Sequence, residues 1–214
     1  PDIIGVASGA SAGAAMAVLL FGGGVAVTAL WAFAGGFLAV LAALALSALS
    51  SRRGIANLVL SGIVVNALAQ SVLMLMKLAA DPEKELASIE FWTMGSFADI
   101  TLSKLMGTLP WILLGLAGLF ALRRQIVLLG LDEDDAQMLG VPVKYMRPAI
   151  LMLATLATGA VISVTGLIAF IGLLAHHIAR LLTRNGRFST AVLAGLCGGI
   201  LMLLSDVLAR SIGD

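Results

Sequence analysis

The chain has 214 residues, of which 60% are hydrophobic and 12% charged, and its mean hydropathy is +1.08, a balance that no water-soluble domain covers with polar surface. Its 13 Lys and Arg nearly cancel its 12 Asp and Glu, so no field strong enough to hold nucleic acid is present, and the information lies in where each sign sits. Cys197 stands alone in an apolar run, which excludes an internal disulfide and fits a small packing residue.

A helix needs roughly 20 apolar residues to cross a hydrocarbon layer about 30 Å thick. The chain begins at Pro1 without a Met and is apolar by Ile3, so upstream sequence is expected to be missing and the chain is read as a fragment. Ile3 to Leu49 has no charged side chain and is too long for one crossing, and Gly22-Gly23-Gly24 predicts the turn that divides it into spans at about 3–21 and 25–49. The next span is about 55–78. An external loop over 79–104 follows, polar, punctuated by Asp81-Pro82 and carrying a short surface helix; a span at about 105–122 comes after it.

Pro148 to Leu182 has only His176, His177 and Arg180 as ionisable groups. Arg123, Arg124, Lys144 and Arg147 precede it, while Arg180, Arg184 and Arg187 end or follow it, so the positive-inside rule puts both flanks in the cytoplasm. The stretch therefore crosses twice, at about 148–165 and 166–183, with a turn near Thr165-Gly166, and a final span covers about 190–210. Arg52-Arg53 also falls inside, whereas Asp81, Glu83, Glu85, Glu90 and Asp99 lie outside with Lys77, Lys84 and Lys104. The result is one all-α transmembrane domain over 1–214, a polytopic helical bundle of seven predicted spans with Pro1 inside and Asp214 outside.

Several motifs resemble chemistry and are weighed against packing. Gly9-Ala10-Ser11-Ala12-Gly13 fits the G-x-S-x-G pattern, but a nucleophile elbow needs a strand before it and a helix after it. Gly5, Gly9 and Gly13 recur every four residues, as does the pair Gly195 and Gly199, and such small-residue faces let a neighbouring backbone approach closely. His176 and His177 point about 100° apart on a helix, with no Cys, His or carboxylate three or four residues away, so no metal site is expected. The chain also has no Walker A motif and no HExxH.

Gly62, Asn66 and Gln70, with Ser61 beside them and Met74 continuing the spacing, form an uncharged polar stripe in a span. Interhelical hydrogen bonding and the lining of a translocation path are equally good readings of it. The cytoplasmic loop 123–147 predicts a short helix: Asp132 caps it, Glu133, Asp134 and Asp135 occupy its first turn, and Gly140 with Pro142 ends it. Ala136 and Leu139 would make a small apolar ridge suited to a groove on another protein, the alternative being a solvated connector.

Here the sequence resembles the FecCD-type permeases, the membrane subunits of iron-siderophore, haem and cobalamin ABC importers. The matching segments run in family order. They are Gly5 to Ala10, Leu60-Ser61-Gly62-Ile63 with Asn66-Ala67-Leu68, Ala80-Asp81-Pro82 with Phe91 to Ser96, Leu129 to Glu133 through Val141, Gly166 to Leu173 with His177 to Arg180, and Ser205 to Arg210. One departure is His176, where the family usually has proline, so the kink that proline imposes is not implied in this chain.

The resemblance implies an ABC importer type II permease fold of ten spans, of which this truncated chain holds the third through ninth, in the cytoplasmic (inner) membrane. It implies as partners two ABC ATPase subunits carrying the ATP and magnesium, a periplasmic or lipoprotein substrate-binding protein, a second permease copy (identical or related) and membrane lipid. No cofactor, catalytic residue or nucleic acid is expected on the chain itself. Leu129, Gly130, Asp132, Glu133, Ala136, Leu139 and Gly140 would seat in the ATPase. Ser50, Ser51 and Asn57 would stand at an inner gate, with Ser61, Gly62, Asn66, Gln70 and Met74 along the path. Arg210 would pair with a carboxylate of the binding protein, the somewhat weaker alternative being a snorkelling anchor. Two rivals remain: an ion-coupled secondary transporter, which usually places an ionisable group within a span, and an intramembrane enzyme built from Ser8 or Ser11 with His176 or His177.

Overall fold

The structure is a computed structural model that describes residues 4–50, 54–98, 100–131, 133–183 and 188–213. Among the described residues every regular element is a helix. The first two, α1 (Val6–Phe21) and α2 (Val25–Leu49), are joined through Gly22–Gly24 and pack along their length. Lipid is as apolar as Leu, so what holds two such helices together is close packing rather than escape from water. The small residues supply it. A Cβ added at Gly9 would strike the carbonyl oxygen of Gly35, one at Gly13 that of Trp31, and one at Gly35 that of Gly9. Around this seam Val6, Ala10 and Ala14 are buried against Ala32, Val40 and Ile162.

The third helix, α3 (Ile55–Ala79), packs on both α1 and α2. Across its far end lies α4 (Glu85–Met94), whose Ile89 is buried with Ala15, Val18, Leu73 and Ala80. Lys77 Nζ donates to Glu90 Oε1 at 2.8 Å and ties α3 to α4. After α5 (Leu102–Ala121) come two short helices, α6 (Arg123–Leu128) and α7 (Glu133–Met138), and then the long α8 (Val143–Thr165). This last helix is the centre of the bundle, packed on α2 on one side and α5 on the other. Gly115 makes the second contact possible, because a Cβ there would lie 2.8 Å from Ala157 Cβ and 2.9 Å from the Leu153 carbonyl oxygen. The chain closes with a hairpin, α9 (Ile171–Thr183) on α10 (Phe188–Gly213), joined by the Thr183 and Thr190 hydroxyls at 3.1 Å.

Among the described residues five helices are long and apolar enough to cross a membrane: α2, α3, α5, α8 and α10, the last over Ser189–Ser211. With 16 and 13 residues, α1 and α9 are shorter than the roughly 20 that a full crossing needs. The 166–183 segment differs accordingly from its expected form, since Leu167–Phe170 is irregular and the helix starts only at Ile171. The start of α8 also differs. Charge places the span edge at Pro148, but a helix does not stop where hydrocarbon does, and it begins at Val143 with Lys144 and Arg147 in its first turns and Pro148 inside it. Across His176, α9 is unbroken.

Candidate functional site

The residues expected to contact a partner gather on the face that carries α7. Glu133, Asp134 and Asp135 fill the first turn of α7, where the helix dipole favours carboxylates. Asp132, the expected cap, lies outside the described residues, as do Ser51, Arg52, Arg53, Asp99, Arg184 and Arg187. At the other end Gly140 takes φ +81°; its N–H bonds to Gln137 O at 2.9 Å and the Val141 N–H to Ala136 O at 3.1 Å. These paired bonds finish the helix by satisfying carbonyls that have no further turn to bond.

This ending turns Ala136 inward. It is 1% exposed and packs with Val141 and Val143, with Leu128, Leu129 and Met146 around them. The expected ridge of Ala136 and Leu139 is therefore corrected: Ala136 anchors α7 to its own chain, and the outward apolar side chains are Met138, 85% exposed, and Leu139, 58% exposed. Gly130 is exposed and Leu129 half-buried. Glu133 also turns toward its own chain, its Oε2 accepting from Arg147 Nη1 at 3.3 Å. Behind α7, between it and the adjoining ends of α2 and α3, lies a cleft of about 680 Å³ edged by Ser47, Gly54, Gln137 and Tyr145.

The end of α2 and the start of α3 are joined by Asn57, whose Nδ2 donates to Ser47 O at 2.9 Å and to Ser47 Oγ at 3.2 Å. Ser50, half-buried, ends α2 in an extended conformation. The stripe on α3 is not one surface. Ser61 and Gly62 are buried, Asn66 is intermediate, and Gln70 and Met74 are exposed. Four residues advance about 400° around a helix, so a four-residue repeat drifts about 40° per step and leaves the bundle within three steps. Gly5 faces this helix, its missing Cβ lying 3.3 Å from Asn66 N.

On the opposite face a cavity of about 780 Å³ opens between α2, α4, α5 and α8. Phe33 of α2 and Trp111 of α5, with ring centroids 6.5 Å apart, bridge two of its walls. The buried Thr28 hydroxyl on its lining has no hydrogen-bond partner among the described residues. Sequence reading missed this cavity, because its walls come from helices far apart in the chain. Arg210, expected to await a partner's carboxylate, donates from Nε to Asp206 Oδ2 of its own helix at 2.9 Å and is 61% exposed.

The motifs that imitate an enzyme are committed elsewhere. Ser8 Oγ donates to Gly5 O at 3.1 Å and Ser11 Oγ to Ala7 O at 3.0 Å, both buried in α1. His176 and His177 are exposed on α9. These hydroxyls close local helix bonds.

Five apolar helices of spanning length among the described residues, with the short α6 and α7 between two of them, define a multi-pass membrane protein. The chain belongs to the FecCD transport family, which matches it over residues 1–214. It is 33% identical to the molybdate import system permease protein MolB of Haemophilus influenzae, over 100% of this chain and 63% of that protein. It is 31% identical to the cobalamin import system permease protein BtuC of Halobacterium salinarum, over 99% and 57%, and 33% identical to the ferric enterobactin transport system permease protein FepG of Escherichia coli, over 99% and 63%. Among solved structures it matches one described as an inward-facing conformation of a metal-chelate type ABC transporter, with a TM-score of 0.88 and 32% identity, covering 99% of this chain and 68% of that one. The chain thus spans about 57–63% of the length of these curated relatives.

Proposed function

We propose that this chain is the membrane-spanning part of a permease subunit of an ABC importer in the cytoplasmic membrane, moving iron-siderophore, haem or cobalamin-type ligands. The observation that carries the reading is the build of α7. Its inner face is anchored by Ala136, Val141 and Val143, and its outer end presents Met138 and Leu139 to water. A groove on an ATPase subunit would give these two neighbouring apolar side chains a place to be buried, which a solvated connector would not.

In this reading Leu129, Gly130, Asp132, Glu133, Leu139 and Gly140 lie at or beside the ATPase contact, while Ala136 sets the height of the helix. ATP and magnesium belong to the ATPase subunits. Ser50, Ser51 and Asn57 stand at the cytoplasmic turn as an inner gate, and Ser61, Gly62, Asn66, Gln70 and Met74 serve as path or helix contact according to their depth. A second permease copy, identical or related, completes the pathway. Arg210, already balanced by Asp206, would exchange that partner for a carboxylate of an external binding protein. The molybdate permease among the relatives shows that family membership does not by itself select a chelated cargo, so selection is assigned to the binding protein.

The test is ATP hydrolysis in proteoliposomes by the full-length parent with its ATPase and binding protein. Leu139→Arg should leave the permease folded and abolish stimulation by the liganded binding protein. Native stimulation in that variant, or no ATPase association with the parent, would remove the importer reading.

A further inference from the structure

Two connections at opposite ends of α8 point to a mechanical role for this helix. At one end α7 is fixed to it by the Ala136, Val141 and Val143 cluster, into which Met146 also packs, and by the Arg147–Glu133 ion pair at 3.3 Å. Between the ends α8 runs without a break for 23 residues, about 35 Å. Its other end meets α4 backbone to backbone. The Ser96 N–H donates to Thr165 O at 2.8 Å. Gly95 and Gly166 both have φ +69°, a conformation in which a side chain is strained, and both are packed where a side chain has no room. A Cβ at Gly166 would lie 2.9 Å from Gly95 Cα and closer still to Trp92 O, and one at Gly95 would lie 2.6 Å from Leu167 O.

Such contacts differ from side-chain packing in what they transmit. Side chains slide and change rotamer, whereas two backbones in contact, joined by a hydrogen bond, shift together or separate. On the opposite side α4 is held by Lys77–Glu90 and by Ile89 in the α1–α3 cluster, so this junction links α8 directly to the roof over the α1–α3 group.

We propose that α7, α8 and α4 form a single lever, with Gly95 and Gly166 as positioning residues that latch α4 to α8, so that movement of α7 on one face is delivered to α4 on the other. The inference rests on the importer reading, which supplies the force on α7. Spatial continuity alone does not establish coupling, and the decisive property is rigidity between the two ends.

The experiment uses the full-length parent assembled with its ATPase, one copy labelled, in a Cys197→Ser background. Spin labels are placed pairwise at Phe91 on α4, Lys144 on α8 and Leu196 on α10, all exposed positions, and distances are measured with and without ATP. The expected result is that Phe91–Leu196 and Lys144–Leu196 both change while Phe91–Lys144 does not. Gly166→Ala should abolish the Phe91–Leu196 change and keep the Lys144–Leu196 change, a selective uncoupling that general destabilisation would not produce. Ser96→Pro removes the N–H donor without adding a Cβ at either glycine and should act the same way. A native Phe91–Lys144 distance that changes with ATP overturns the lever with no variant needed, and a full Phe91 response in both variants overturns the latch. If Lys144 does not move with ATP at all, the importer reading falls and the lever with it.

Discussion

Arg147 Nη1 lies 3.3 Å from Glu133 Oε2, a contact that joins the first turn of α7 to the second turn of α8 across the chain reversal at Gly140–Pro142. The two side chains retain 19% and 35% of their exposure, so water and salt screen the pair and its contribution is about 0.2–1 kcal/mol. Glu133→Gln or Arg147→Met should raise hydrogen exchange of the α7 amides by up to about fivefold, as 1 kcal/mol dictates. The reversed pair Glu133→Arg with Arg147→Glu should restore most of the protection. Exchange in α10 should be unchanged in all three.

Ala136 and Leu139 should separate cleanly by stability. Ala136→Asp places a carboxylate in the cluster with Val141 and Val143, where it has no partner, and should detach α7, seen as lost exchange protection over Glu133–Met138. Leu139→Ala, at a position 58% exposed, should leave the fold unchanged within about 0.5 kcal/mol and weaken only ATPase association, measured by copurification.

Glycines in the same family of spans should differ just as sharply. A Cβ at Gly13 collides with the Trp31 backbone, which has no rotamer to give, so Gly13→Ala should prise α1 from α2. Its thermal midpoint in detergent should fall by several degrees. Gly107, inside α5, has nothing within 4 Å of the Cβ position, and Gly107→Ala should be neutral or slightly stabilising, because Ala suits a helix better by about 1 kcal/mol.

Ser11→Ala removes a hydroxyl that bonds only its own helix, at Ala7 O. Transport by the full-length parent should be unchanged within error. A loss of transport in this variant without loss of folded protein would reopen a chemical role for the Gly9–Gly13 motif.

Much of the architecture is legible in the chain itself. The start and stop of α7 follow from carboxylates in a first turn and a glycine at its end, and the division of α1 from α2 follows from three successive glycines. What escaped reading has common causes. The polar stripe on α3 was drawn by counting fours, and the 40° drift per step takes Gln70 and Met74 out to the surface while Gly62 stays inside. Ala136 and Leu139 are three apart, yet the bonds that close the helix at Gly140 send one inward and the other out. Gly95 and Gly166 each stand in a recognisable segment, but nothing local to either announces that it meets the other.

By itself the sequence determined the solvent, the class and the family. A mean hydropathy of +1.08 with 12% charged residues demands a bilayer, a bilayer demands backbone satisfied within each span, and apolar runs of this length satisfy it as helices. It also determined where small residues permit close approach. Only the tertiary structure decided which faces touch. In water the buried side of a helix is marked by an apolar stripe on a polar background, but α2, α3 and α10 are apolar over most of their surface and carry no such contrast. With lipid and protein equally apolar, the choice falls to shape and to a few hydrogen bonds: Gly13 under Trp31, Gly115 beside Ala157, and Ser96 bonded to Thr165.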